Sequence, residues 1–128
     1  MKTARVLIID DNDLNRQLTR FVLDHAAFWV ETATDGADGL QKITDFAPDL
    51  ILMDIQMPDM DGVTLTRHLK SCASTRHIAV VAFTAYAMKG DEVRMRKAGC
   101  DGYISKPIDV RTLANQVRGY CASAARAN

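Results

Sequence analysis

Three observations predict a doubly wound α/β fold. Short apolar runs rich in valine and isoleucine alternate with longer segments of helical period, the pattern of βαβ units around a parallel sheet. Four of these runs end in a polar residue: Val6-Leu7-Ile8-Ile9 in Asp10-Asp11, Leu50-Ile51-Leu52-Met53 in Asp54, Ile78 to Phe83 in Thr84, and Tyr103-Ile104-Ser105 in Lys106. The chain has 128 residues, which suits one domain able to bury roughly two thirds of its unfolded surface in a single core.

The elements follow in order. Arg5 to Ile9 reads as strand one. Asn12 and Asp13 can cap a first helix that carries Leu14, Leu18, Phe21, Val22 and Leu23 at helical spacing. Phe28 to Ala33 is a weaker second strand with the character of an edge. Ala37 to Phe46 is the second helix, with Leu40 and Ile43 facing inward, and Pro48 stops it. Leu50 to Met53 is strand three. Asp61 or Gly62 opens a helix through Leu65 and Leu69 to about Ser71. Ile78 to Phe83 is strand four, and Met88 to Ala98 is a largely polar helix followed by Gly99 as a left-handed cap. Gly102 to Ile104 is strand five. Asp109 caps a last helix whose apolar face is Leu113, Val117 and Tyr120. The domain is expected to span residues 1–122, with 123–128 as a flexible C-terminal tail.

This alternation predicts a five-stranded parallel sheet of order 2-1-3-4-5, a flavodoxin-like (βα)5 architecture. Ligands of such sheets bind beyond the carboxyl ends of the strands, where the strand order switches. In this order the switch lies between strands one and three, at Asp10, Asp11 and Asp54.

Composition excludes several classes of function. Hydrophobic residues make up 48% and charged residues 25% of the chain, as in an ordinary globular protein. The formal net charge is zero and no basic stripe is visible, which argues against nucleic-acid binding. No apolar run approaches the roughly 20 residues of a membrane span, and Met1-Lys2-Thr3 lacks the apolar segment of a secretory signal. Cys72, Cys100 and Cys121 are odd in number and widely spaced. With no CxxC or HxxxH pattern beside them they read as reduced thiols, not as zinc ligands or a disulfide framework. His25, His68 and His77 are scattered and read as surface or partly packed imidazoles. A cytoplasmic location is expected.

The polar strand ends carry the chemistry. Three carboxylates brought close repel, each ionised pair costing about 4 kcal/mol at an effective dielectric near 20. A divalent cation resolves that conflict, and Mg²⁺ prefers hard oxygen ligands. Asp11 and Asp54 are the expected direct ligands, the Gln56 carbonyl a third, and Asp10 a ligand through water. Asp54, on the middle strand, also suits nucleophilic attack to form an aspartyl phosphate. Lys106 and the metal would neutralise the transferring phosphoryl oxygens, and Thr84 would donate a hydrogen bond to one of them. Any one of these residues alone is an ordinary helix cap; their joint placement at strand ends is what points to a site.

The segments Val6-Leu7-Ile8-Ile9-Asp10-Asp11-Asn12, Pro48-Asp49-Leu50-Ile51-Leu52-Met53-Asp54, Met57-Pro58-Asp59-Met60-Asp61-Gly62, Phe83-Thr84-Ala85 and Tyr103-Ile104-Ser105-Lys106-Pro107 together resemble the receiver (response-regulator) domain of two-component signalling. The resemblance runs from Val6 to about Tyr120. The stretch Ala85 to Cys100 looks like stand-alone receivers of the DivK type, and both it and Asp11 to Arg16 look like receivers attached to hybrid histidine kinases.

The resemblance implies a phospho-acceptor signalling domain, not an enzyme in the ordinary sense, which assists its own phosphorylation and dephosphorylation. Asp54 would accept phosphate from a histidine kinase or histidine phosphotransfer protein, Asp10 and Asp11 would hold Mg²⁺, and Lys106 would contact the phosphate. Thr84 and Tyr103 would form a switch pair, and the Lys106–Pro107 bond would be cis. Drawing the Thr84 hydroxyl toward the phosphoryl group would free space for the Tyr103 ring, reshaping the face of helix four, strand five and helix five for a downstream protein. Gln56 and Tyr86 occupy positions that influence acyl-phosphate lifetime in this family, and a bulky Tyr86 implies a long-lived phosphoryl state. The expected oligomeric state is a monomer or weak dimer. One departure is visible: His25-Ala26-Ala27-Phe28 follows the first helix where receivers commonly place a glycine, so a left-handed Ala27 would cost roughly 1 kcal/mol. Trp29 reads as edge-strand packing.

Three rival readings exist. A receiver cut from a hybrid kinase would keep the same chemistry. A phosphatase on a related scaffold would need a second aspartate two residues after the nucleophile, and position 56 is glutamine. A flavin carrier would need hydroxyls and backbone donors where Asp10-Asp11-Asn12 stands.

Overall fold

The computed structural model describes residues 4–55, 57, 61–84 and 89–127. Among them, strands and helices alternate: β1 (Arg5–Ile9), α1 (Asp13–Asp24), β2 (Trp29–Ala33), α2 (Gly36–Phe46), β3 (Leu50–Met53), α3 (Gly62–Ser71), β4 (Ala79–Thr84), α4 (Lys89–Ala98), β5 (Gly102–Ser105) and α5 (Leu113–Ala127). The strands form one parallel sheet in the order β2-β1-β3-β4-β5. This is the predicted doubly wound architecture, with β2 on an edge.

Burial on both faces explains why the central strands are continuous apolar runs and not alternating ones. Val6, Ile8, Leu50, Leu52, Val81 and Phe83 point to one face, where Leu23 of α1 and Leu113 and Val117 of α5 pack against them. Leu7, Ile9, Ile51, Met53 and Val80 point to the other, against Ile43 of α2 and Leu65 and Leu69 of α3. Truncating a leucine or isoleucine so buried to alanine costs roughly 2–5 kcal/mol.

Register delivers the site. Ile9 lies beside Met53, and Met53 beside Ala82, so Asp10 and Asp54 leave the sheet at one level. Thr84 lies beside Ser105, which sets Lys106 just beyond the end of β5.

Helix caps follow the sequence closely. Asn12 caps α1 by accepting from the Asn15 amide, Asp35 caps α2, Asp61 caps α3, and Gly99 takes φ of 103° after α4. Ala27 does adopt a left-handed conformation, with φ of 69°. A second alanine does the same unexpectedly: Ala47, at φ of 53°, ends α2.

One expectation needs correction, and two helices add detail to their sequence reading. The apolar residues of α1 do not share one buried face. Thr19 and Leu23 are buried, whereas Leu14 and Phe21 are 72% and 61% exposed and Leu18 is also exposed. Positions 14, 18 and 21 form their own stripe one side away, where the Phe21 ring meets the His25 ring at 4.3 Å. Asp109 does not cap α5 directly. It closes a turn, accepting from the Arg111 amide, and that hydrogen bond holds its carboxyl below the usual range. Finally, α5 runs to Ala127, beyond Tyr120; Ala-rich sequence favours that continuation.

Candidate functional site

Asp10 and Asp54 follow directly from β1 and β3, and both are buried, at 1% and 8% exposure. Their backbones are fixed by the neighbouring strands: the Asp10 amide donates to the Ala33 carbonyl and the Asp54 amide to the Ile9 carbonyl. Asp11 stands exposed at the rim. One carboxylate oxygen from each of Asp10, Asp11 and Asp54 lies within 4.8 Å of the others.

Lys106 enters from the β5 side. Its ammonium bonds Asp10 Oδ2 at 2.6 Å and lies 3.6 Å from Asp54 Oδ2, with the Phe83 ring 5.1 Å away. The Lys106 amide donates to the Thr84 carbonyl, so the end of β4 sets the lysine in place. Thr84 itself is buried at the same edge. The other oxygen of Asp10 accepts the Asn12 amide at 2.9 Å.

Three clustered carboxylates against one ammonium leave a surplus of negative charge, which is costly in a partly desolvated site. The donor set is all hard oxygen, without thiol or imidazole, and fits Mg²⁺ and not a soft metal. Asp10 is engaged by Lys106 and Asn12, and Lys106 also stands near Asp54, while all three aspartates offer an oxygen to the common space.

The structure thus brings together Asp10, Asp11, Asp54 and Lys106, with Thr84 at the same edge. Gln56 and Tyr86 lie outside the described residues. Tyr103 is half-buried on β5 and packs against a separate cluster of Ile55, Val63, Ala82, Met95 and Ala98. It lines an open groove of about 590 Å³ with Glu92, Arg96, Cys100 and Tyr120, on the predicted face of α4, β5 and α5. Burial pushes the Cys100 thiol up, so the groove presents it as a neutral group. The Lys106–Pro107 bond is cis.

Gly62 was not singled out from sequence as a site residue. A Cβ there would stand 2.5 Å from the Asp54 carbonyl oxygen and 2.9 Å from Ile55 Cα, so the start of α3 can lie against the end of β3 only without a side chain. The Asp61-Gly62 pair after the Asp54 loop was the available signal.

A family model described as the response regulator receiver domain matches residues 6–118. The chain belongs to this receiver family. It is 42% identical to the polar-differentiation response regulator DivK of Brucella ovis, over 95% of this chain and 99% of that protein. The DivK of Brucella anthropi is also 42% identical, over 93% and 97% of the two chains. Among solved structures, a CheY-like receiver domain protein from Methanospirillum hungatei superposes with a TM-score of 0.90 at 28% identity, covering 99% of this chain and all of that one. The signal receiver domain of a histidine kinase from Syntrophus aciditrophicus gives 0.85 at 29% identity, over 94% and 92%. The chain is therefore a receiver of the CheY and DivK type, a signalling domain of phosphorelays and not a member of a classical enzyme family. No helix among the described residues is long and apolar enough to cross a membrane.

Proposed function

We propose that this receiver takes a phosphoryl group onto Asp54 from a phosphohistidine of a histidine kinase or phosphotransfer protein, and passes the signal by changing its affinity for a downstream protein. The observation that carries the reading is the cluster of Asp10, Asp11 and Asp54 within 4.8 Å with the Lys106 ammonium held against it.

In the transfer, one Asp54 oxygen attacks phosphorus, a P–O bond forms and the P–N bond to the donor imidazole breaks, the electron pair returning to that ring. Asp54 is oriented by its strand and by Gly62 behind it. Lys106 offsets charge on the phosphoryl oxygens, and the Thr84 hydroxyl donates to one of them. Phosphoryl transfer depends mainly on position and charge compensation, which these residues offer. Mg²⁺ held by Asp11 and Asp54, with Asp10 through water, would supply the remaining positive charge. The same residues would assist later hydrolysis.

Output is assigned to the α4-β5-α5 face, where Tyr103 borders the groove. Its ring would turn inward as Thr84 moves toward the phosphoryl group. We assign a cytoplasmic location and a monomer or weak dimer. The likeness to a histidine-kinase receiver supports a second reading, a relay station within a hybrid kinase, with identical Asp54 chemistry.

Incubation with acetyl phosphate tests the reading. Intact mass should rise by one phosphoryl group in a Mg²⁺-dependent manner, and Asp54→Asn should show no gain. A gain that survives in Asp54→Asn, or none in the native chain, would refute it.

A further inference from the structure

Arg16 lies in the first turn of α1, yet its side chain is only 13% exposed. Its guanidinium turns back over the loop between β1 and α1. One nitrogen donates to the Asp10 carbonyl oxygen at 2.7 Å, and another to the Asp13 carboxylate. The acceptor at Asp10 is its backbone, because the Asp10 carboxylate is occupied by Asn12 and Lys106.

That carbonyl belongs to the peptide unit joining Asp10 to Asp11. The unit is planar, so fixing the direction of its C=O also fixes the direction of the Asp11 amide. The upstream side is already tied, through the Asp10 amide on Ala33. Downstream, the Asn12 amide is tied to Asp10. Asp11 sits between these anchors, and its carboxylate makes no hydrogen bond or ion pair among the described residues. It nevertheless stays within 4.8 Å of two other carboxylates, against its electrostatic preference. Among the described contacts, the tied backbone on either side is what sets the point from which this side chain reaches the cluster.

We propose that Arg16 is a positioning residue: by gripping the Asp10 carbonyl it keeps the Asp11 carboxylate in the acidic cluster, preorganised for a divalent cation. The inference rests on the reading of this cluster as a Mg²⁺ site. It has a sign that separates it from a plain charge effect. As a nearby cation, Arg16 repels a metal ion, so its removal would tighten binding. As a positioning residue it assembles the ligands, so its removal weakens binding.

Calorimetric titration with Mg²⁺ distinguishes the two. Arg16→Ala should bind about tenfold more weakly, the usual effect of losing a group that orients a metal ligand. Arg16→Lys keeps the charge but loses the planar fork that reaches carbonyl and carboxylate together; it should still weaken binding by a few fold. In metal-free protein, the Asp11 amide of either variant should show a lower NMR order parameter than in the native chain. Native Mg²⁺ binding with unchanged or tighter binding in Arg16→Ala, or unchanged binding in Arg16→Lys, would overturn the role of Arg16 alone. Absence of Mg²⁺ binding by the native chain would overturn the metal reading itself.

Discussion

The Lys106 ammonium is bonded to Asp10, at 2.6 Å, and stands a full ångström farther from Asp54, at 3.6 Å. In this state the lysine neutralises the deepest carboxylate of the cluster more closely than it does Asp54, the proposed acceptor. Both partners of the bonded pair are nearly inaccessible, with side-chain exposures of 9% and 2%.

Breaking this pair should be expensive. Lys106→Met keeps much of the volume and removes the charge, leaving Asp10 buried among like charges. We expect a loss of about 3 kcal/mol in metal-free protein, smaller in Mg²⁺, measured by urea unfolding. A loss below about 1 kcal/mol, the level of a surface pair, would contradict the assignment.

Asp11 should show the opposite sign. Being exposed, it feels repulsion closer to the bulk-water value of about 1 kcal/mol per close pair. Asp11→Asn should stabilise the metal-free protein by about that amount and abolish the stabilisation that Mg²⁺ gives by binding the folded state. Equal Mg²⁺ stabilisation of Asp11→Asn and the native chain would remove Asp11 from the ligand set.

Gly62→Ala tests the support of Asp54 from behind. A methyl 2.5 Å from the Asp54 carbonyl forces backbone apart, at roughly 1–3 kcal/mol. The acetyl phosphate reaction should slow with it. A normal melting temperature and normal rate would show that the contact relaxes freely.

Two alanines hold left-handed conformations, Ala27 at φ of 69° and Ala47 at 53°. Ala27→Gly and Ala47→Gly should each stabilise by up to about 1 kcal/mol, the relief of Cβ strain less the added freedom of the unfolded chain. Chemical denaturation of the double variant should give a near-additive gain, since the sites lie on different elements. Destabilisation by either change would refute the strain.

Burial pushes the Cys121 thiol up to about 11 from 9.0. A value raised in the folded state means that its contribution is fully present below pH 9 and is lost as pH rises through about 11. Native protein should therefore resist iodoacetamide at Cys121 near neutral pH, and Cys121→Ser should flatten the alkaline loss of stability. Rapid native labelling of Cys121, located by peptide mapping, would contradict this.

The fold was legible because each central strand is a bare apolar run closed by a chemically distinctive residue. Asp10, Asp54, Thr84 and Lys106 mark strand ends so sharply that order and site can be read together. Helix starts were legible where Asn12 and Asp61 cap them. The orientation of α1 was not, because Leu14, Leu18 and Phe21 carry a helical period of their own and periodicity does not say which stripe faces inward. The extension of α5 to Ala127 was hidden by the absence of large apolar residues after Tyr120. The contact of Arg16 with the Asp10 carbonyl is not legible in the Asp11 to Arg16 stretch, because no sequence pattern displays a backbone acceptor.

Covalent chemistry at one atom, an Asp54 carboxylate oxygen, is read most directly by borohydride trapping. The protein is phosphorylated with Mg²⁺ and a small-molecule or phosphohistidine donor, reduced with borohydride, digested and mapped by mass spectrometry. Reduction converts an aspartyl phosphate to homoserine. Homoserine at position 54, and at no other aspartate, is the expected result. Homoserine at position 10 or 11, or none anywhere, would contradict Asp54 as the phosphoryl acceptor.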